Sequence, residues 1–244
     1  MRVLVFQHIP VEHPGIFRDF LKADGGSWDA VELDAGDAIP AFDGYDALWV
    51  MGGPMDVWQD DEHPWLVAEK RAIRAWVEAG RPFLGVCLGH QLLADAMGGR
   101  VRVGDAPEVG IMQVELTTAG RSDPLFAGLP SPKQCLQWHG AAVLEPPPGS
   151  AVLAKSAVCP VQAIRVGDCA YGLQYHVEAT AETVPEWGCV PEYEAALEAV
   201  QGPGALKRFR AEIKRHLPAL NAAARQLYDN FAAIVSTHGA TLRL

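Results

Sequence analysis

The sequence has no run approaching the roughly 18 consecutive apolar residues of a membrane span, so no membrane-embedded role is expected. Its opening segment carries one basic residue, Arg2, and a short apolar run from Val3 to Phe6, too little for a secretory leader. The five cysteines, Cys87, Cys135, Cys159, Cys169 and Cys189, are odd in number and never spaced C-x-x-C. That argues against a disulfide framework and a zinc site and for a reducing, cytoplasmic setting. Basic residues are scarce: 20 Lys and Arg against 30 Asp and Glu give a net charge of -10. This is the wrong sign for gripping phosphate backbones or anionic lipid, so neither nucleic acid nor membrane is expected as a partner. There is no G-x-x-x-x-G-K-[ST] phosphate loop, internal repeat or low-complexity tract.

What is present suits a protein with a full core. The 244 residues are 49% hydrophobic and 20% charged, the composition of one large domain, or of a domain with an appendage. Arg2 to Phe6 is rich in Val and Leu without polar alternation, the pattern of a strand buried on both faces of a parallel sheet. Further strands are read at Ala30 to Leu33, Ala47 to Met51 and Pro82 to Val86. Helical spacing links Ile16, Phe17, Phe20 and Leu21, and a longer helix runs from about Pro64 to Ala79, with Gly80 as its C-cap. From Val101 to Glu178 strands shorten and turns crowd in, including a two-residue hairpin at Gly167-Asp168, which predicts an antiparallel or mixed half. Beyond Glu178 the chain reads as helical, interrupted at Gly202-Pro203-Gly204. Its last helix carries Leu220, Ala224, Leu227, Phe231 and Ile234 on one stripe that covers the sheet or docks another protomer. Lys207, Arg208, Arg210, Lys214 and Arg215 form a solvated basic face or a contact for an acidic partner.

Three segments carry chemistry. Gly85-Val86-Cys87-Leu88-Gly89 ends a buried strand and opens a helix, the nucleophile-elbow pattern with Cys in place of Ser. The glycines let neighbouring backbone approach a strained turn, and a helix N-terminus favours the thiolate. Read alone, the segment is equally a buried Cys in a tight turn. A thiol nucleophile needs a base and an orienting group. Gly172-Leu173-Gln174-Tyr175-His176-Val177-Glu178 supplies both if it is a strand, because residues i and i+2 then share a face. His139 and His90 are rival bases. Finally, Ala47 to Met51 runs into Gly52-Gly53-Pro54, which leaves a bare amide where ligands bind in open α/β sheets, as an oxyanion donor or as an ordinary strand-ending turn.

Taken with Gln91 and Gln137-Trp138-His139-Gly140, these segments resemble the class I glutamine amidotransferase family, in particular its free-standing branch similar to the glutaminase domain of GMP synthetase. The resemblance runs from about Val3 to Glu186. It implies a flavodoxin-like α/β three-layer sandwich with a mostly parallel sheet, an antiparallel extension and a helical C-terminal tail. Residues 1–186 form the catalytic domain, and 187–244 are a helical extension packing on it. It further implies Cys87 as nucleophile, His176 as base, Glu178 as orienting acid, and the amides of Gly53 and Leu88 as the oxyanion hole. Gln91, Trp138 and His139 would hold the α-amino and α-carboxylate groups of the substrate. No cofactor or metal is implied. Two positions depart from the family pattern: Val177 stands where Pro is common, and Ala141 where synthetase-linked relatives tend to be acidic.

Three functions fit these residues. The chain is a glutaminase that passes ammonia to a separate synthetase or other acceptor enzyme, or it is a stand-alone hydrolase of γ-glutamyl amides or peptides, or it is a non-catalytic binding module. The intact Cys87, His176 and Glu178 weigh against the third. Trp58, Asp60, Asp61 and Glu62 are read as a lid or as a solvated loop.

Overall fold

The computed structural model describes residues 1–241, with side chains through residue 238. The nine strands are β1 (Arg2–Gln7), β2 (Ser27–Glu32), β3 (Ala47–Val50), β4 (Phe83–Val86), β5 (Arg100–Leu116), β6 (Lys133–Glu145), β7 (Ala151–Lys155), β8 (Ala163–Val166) and β9 (Ala170–Leu173). The helices are α1 (Phe17–Ala23), α2 (Trp65–Glu78), α3 (Leu88–Ala96), α4 (Thr118–Ser122), α5 (Thr183–Trp187), α6 (Pro191–Gln201) and α7 (Ala205–Thr241). One sheet runs in the order β2-β1-β3-β4-β9-β8-β7-β5-β6. The strands from β2 to β9 in that order pair in parallel, and every pairing from β9 onward is antiparallel. The long β5–β6 ladder is broken by a register shift between Val103 and Glu108.

Alternate residues of the parallel strands feed two cores. Val3, Val5, Trp49, Leu84 and Val86 pack with α1 and the distal half of α7. Leu4, Phe6, Leu48, Val50 and Phe83 pack with α2 and α3 on the opposite face. Both faces are covered, which is why these strands read as unbroken apolar runs. This is the three-layer α/β sandwich expected from the sequence. The carboxyl ends of β1, β3, β4 and β9 are adjacent, so the loops leaving them share one crevice.

Some local readings need correction. The β8–β9 hairpin exists, but Val166 pairs with Ala170, so its turn has three residues rather than two. Cys169 is drawn out of the β8 ladder because its carbonyl accepts from Phe83 N–H on β4. The final helix divides its contacts. Ala224, Leu227, Phe231 and Ile234 cover the sheet, whereas Leu220 joins Phe209 and Ile213 on a third, aromatic-rich core with Trp138, Trp187 and Tyr193. The five basic residues near its start are all exposed. Asp60 is tied to α2 by an ion pair with Lys70 at 2.8 Å, which anchors the segment read as lid or loop.

Among the described residues no helix is long and apolar enough to cross a membrane.

Candidate active site

Cys87 stands between β4 and α3 at φ 52° and ψ -103°, the one non-glycine residue with positive φ among those described. Such a conformation costs on the order of 1–3 kcal/mol and persists only where its surroundings over-determine it. Here Cys87 N–H donates to Leu173 O at 2.8 Å, and Gly89 N–H donates to Met51 O at 3.1 Å. The flanking glycines have a steric reason: a Cβ on Gly85 would collide with the Gly89 carbonyl, and one on Gly89 with the Val50 carbonyl. The turn therefore packs strand end against helix start with no room for side chains.

His176 and Glu178 meet, although not on a strand. β9 ends at Leu173, and His176 makes only an isolated antiparallel bridge to Leu136, donating its N–H to Leu136 O at 2.9 Å. The chain has left the parallel ladder there to cross toward β6, so the two side chains meet through a local structure other than the strand expected. His176 Nδ1 lies 2.7 Å from Glu178 Oε1, and Glu178 Oε2 accepts from Val177 N–H at 2.8 Å. The residue that departs from the family pattern thus supplies a donor that proline lacks. Both side chains are buried, and the Trp187 and His176 rings pack edge to face with centroids 4.4 Å apart. Burial works against charge on His176, but Glu178 and Cys87 outweigh it and hold the ring well above its ordinary value.

A cavity of about 200 Å³ opens over the thiol. Cys87, Gly53, Gln91, Trp138 and His139 all line it, so the structure gathers these predicted residues at one place. Cys87 Sγ lies 3.9 Å from Trp138 O and 3.7 Å from Gln174 Nε2. Gln91 Nε2 donates to Ala141 O at 3.2 Å and to Gln174 Oε1 at 3.1 Å. The N–H groups of Gly53 and Leu88 meet no acceptor among the described residues.

Of the rival histidines, His139 is hydrogen-bonded elsewhere and His90 is buried with neither ring nitrogen hydrogen-bonded among the described residues. His139 has Nδ1 2.9 Å from Ala141 O and Nε2 3.2 Å from Glu108 Oε2, so the carboxylate missing from its own strand comes across the ladder from β5. His90 is fully buried against the Gly172 backbone, and burial pushes its ring down to about 3, which keeps it neutral.

Other residues at the site left no mark in the sequence reading. Tyr193 on α6 lines the cavity, and its hydroxyl donates to Glu12 Oε1 at 2.5 Å. Glu12, in the loop after β1, is buried, and its carboxylate lies within 4.8 Å of the His176 and Glu178 polar atoms. Burial pushes the Glu12 carboxyl up to about 7, although His176 and the Tyr193 hydroxyl pull it down. A carboxyl raised in the fold contributes stability that is complete below its ordinary value of 4.5 and lost as pH rises through about 7. Glu12→Gln removes that loss. It is expected to be about 1–3 kcal/mol more stable than the parent at pH 8 and little different at pH 5, in urea unfolding at the two pH values. Equal gains at both would show that Glu12 does not ionise in that range.

The sequence pattern described as Glutamine amidotransferase class-I matches residues 26–185. The chain is 34% identical over 217 residues to the glutamine amidotransferase-like protein YfeJ of Salmonella typhimurium, covering 86% of each. It is 36% identical over 110 residues to a glutamine-hydrolysing GMP synthase component of Pyrococcus abyssi, 45% of this chain and 57% of that one. A solved glutamine amidotransferase of Thermotoga maritima superposes with a TM-score of 0.84 at 26% identity, over 95% of this chain and 97% of its own. Another, from Methylobacillus flagellatus, superposes with a TM-score of 0.80 at 28% identity, over 95% and 94%. With the elbow, the buried His–Glu pair and the cavity in one crevice, these matches establish that the chain belongs to the class I glutamine amidotransferase family.

Proposed function

We propose that the protein hydrolyses the side-chain amide of glutamine through a γ-glutamyl thioester on Cys87. The observation that carries this reading is the buried His176–Glu178 pair, 2.7 Å apart and under the influence of Cys87, beside a cavity into which the thiol opens. His176 accepts the Cys87 proton, and the sulfur attacks the δ-carbonyl carbon. The resulting oxyanion is held by the free N–H groups of Gly53 and Leu88. His176 returns the proton to the amide nitrogen, the C–N bond breaks and ammonia leaves. Water, deprotonated by His176, then cleaves the thioester to glutamate. Glu178 keeps the His176 proton on Nδ1, so that Nε2 is free to act. Gln91, Trp138 and His139 shape the end of the cavity that takes the α-amino and α-carboxylate groups. The ammonia goes to a separate acceptor enzyme, in keeping with relatives named as one component of a GMP synthase.

A second reading has its own observation. The cavity shares Pro54, Met55 and Glu192 with a neighbouring cleft of about 770 Å³. A leaving group larger than ammonia has space there, which favours a γ-glutamyl amide or peptide hydrolase. One assay separates the two. Glutamine and γ-glutamyl dipeptides are compared by kcat/KM, and a preference for glutamine of more than tenfold supports the first. A preference for the dipeptides supports the second. Hydrolysis of none of these compounds overturns both.

A further inference from the structure

The Gly52–Gly53 peptide is the least constrained kind of peptide in a chain, since neither residue has a Cβ to restrict its rotation. Side chains are shut out at both positions: a Cβ on Gly52 would lie 2.5 Å from the Glu12 carboxylate, and one on Gly53 2.6 Å from Met55 Sδ. Yet an oxyanion donor is useful only if its N–H is aimed before the charge develops. Something other than the glycines must fix its direction.

His8, the residue after β1, is fully buried, and its Nδ1 lies 2.7 Å from Gly52 O. Its Nε2 lies 2.9 Å from Oε1 of Glu69, a fully buried residue of α2, and its ring stacks on Trp65 at 5.5 Å. A carbonyl oxygen only accepts, so Nδ1 carries a proton. Nε2 shares a proton with Glu69, either as an imidazolium facing a carboxylate or as a neutral ring accepting from the acid, and in both states Nδ1–H holds Gly52 O. In a trans peptide the carbonyl of one residue and the N–H of the next point in opposite directions. Holding Gly52 O toward His8 therefore turns Gly53 N–H away from His8.

We infer that the buried His8–Glu69 pair is a positioning device that locks the Gly52–Gly53 peptide with its Gly53 N–H presented to the developing oxyanion. This deepens the proposed thioester chemistry and rests on that reading. His8 touches no reacting atom; it acts through a backbone carbonyl. Burial opposes charge on His8, and Glu69 with the Gly52 carbonyl overcomes it, holding the ring above its ordinary value. A flipped peptide would present a carbonyl oxygen to the oxyanion and so repel it.

His8→Ala alone would strand a buried carboxylate, so the test is made on Glu69→Gln, which is the reference. On that background His8→Ala is expected to lower kcat for glutamine by about 100- to 1000-fold, the usual cost of one oxyanion donor, with KM changed less than about threefold. His8→Asn, whose Nδ2 stands close to the place of Nδ1, is expected to recover kcat to within about tenfold of the reference. His8→Gln, whose amide reaches toward the place of Nε2, is not. An unchanged kcat in the alanine variant, or equal rescue by Asn and Gln, would overturn the proposal. A second reading needs no turnover: with carbonyl-labelled glycine, the Gly52 13C resonance should move upfield in His8→Ala and return in His8→Asn. An unmoved resonance refutes the lock. Parental protein inactive on every γ-glutamyl amide refutes the thioester chemistry instead, and the resonance then decides the lock alone.

Discussion

Cys87→Ala is expected to reduce glutamate release from glutamine by at least about 10⁴-fold, equivalent to about 5.5 kcal/mol of transition-state stabilisation, in a protein that still folds. The thiol meets His176 and makes weak sulfur contacts to Trp138 O at 3.9 Å and Gln174 Nε2 at 3.7 Å, so its removal breaks no backbone-to-backbone hydrogen bond. The positive φ remains, because alanine has the same Cβ as cysteine, and the turn hydrogen bonds from Cys87 N–H and Gly89 N–H remain as well. Calorimetric binding of glutamine to the variant separates loss of chemistry from loss of the pocket: binding persists while turnover disappears. Turnover near the parental rate would remove Cys87 from the mechanism.

Glu178→Gln is the second large effect, an expected fall in kcat of about 10³- to 10⁴-fold with KM little altered. The reason lies in both carboxylate oxygens being occupied by donors, His176 at Oε1 and Val177 N–H at Oε2. Glutamine has one oxygen to offer. The backbone N–H of Val177 cannot change its role, but the imidazole can change tautomer. The amide oxygen therefore settles on Val177, and its NH₂ donates to His176 Nδ1. That moves the ring proton to Nε2, where it faces Cys87 and cannot accept from it. A variant with parental thermal stability and parental kcat would show that His176 does not need Glu178 to choose its tautomer.

The readable and unreadable parts of this site divide by sequence distance. Cys87 with its two glycines, and His176 with Glu178, are contiguous segments whose residue types suggest a thiol with a paired base. Gly52-Gly53 follows a strand, which is enough to place it in the crevice. The partners that complete the site come from afar. Glu69 reaches His8 across 61 positions, Glu108 reaches His139 across 31, and Tyr193 reaches Glu12 across 181. None of these pairs has a periodicity or spacing, since each follows from how the sheet is ordered. The same holds for Trp187 and Tyr193, which belong to the stretch read as an appendage: Trp187 packs on the His176 ring and Tyr193 packs on Trp187. Where local reasoning erred, in the hairpin length at Cys169 and the strand assigned to His176, a neighbouring segment had taken the backbone hydrogen bond.

The bond between Glu12 and Tyr193 also ties the completion of the site to a late part of the chain. Chains are synthesised from the N-terminus at about 5–20 residues per second, and a domain generally folds as a unit. Glu12 must wait for Tyr193, made 181 residues later, before its buried carboxyl has a partner. Cys87 is made in between, and its strand-to-helix turn lacks first His176 and then the aromatic residues beside it until positions 176 to 193 follow. A chain that ends before Tyr193 lacks both that donor and the wall it forms with Trp187, so the site is complete only once these residues have been made.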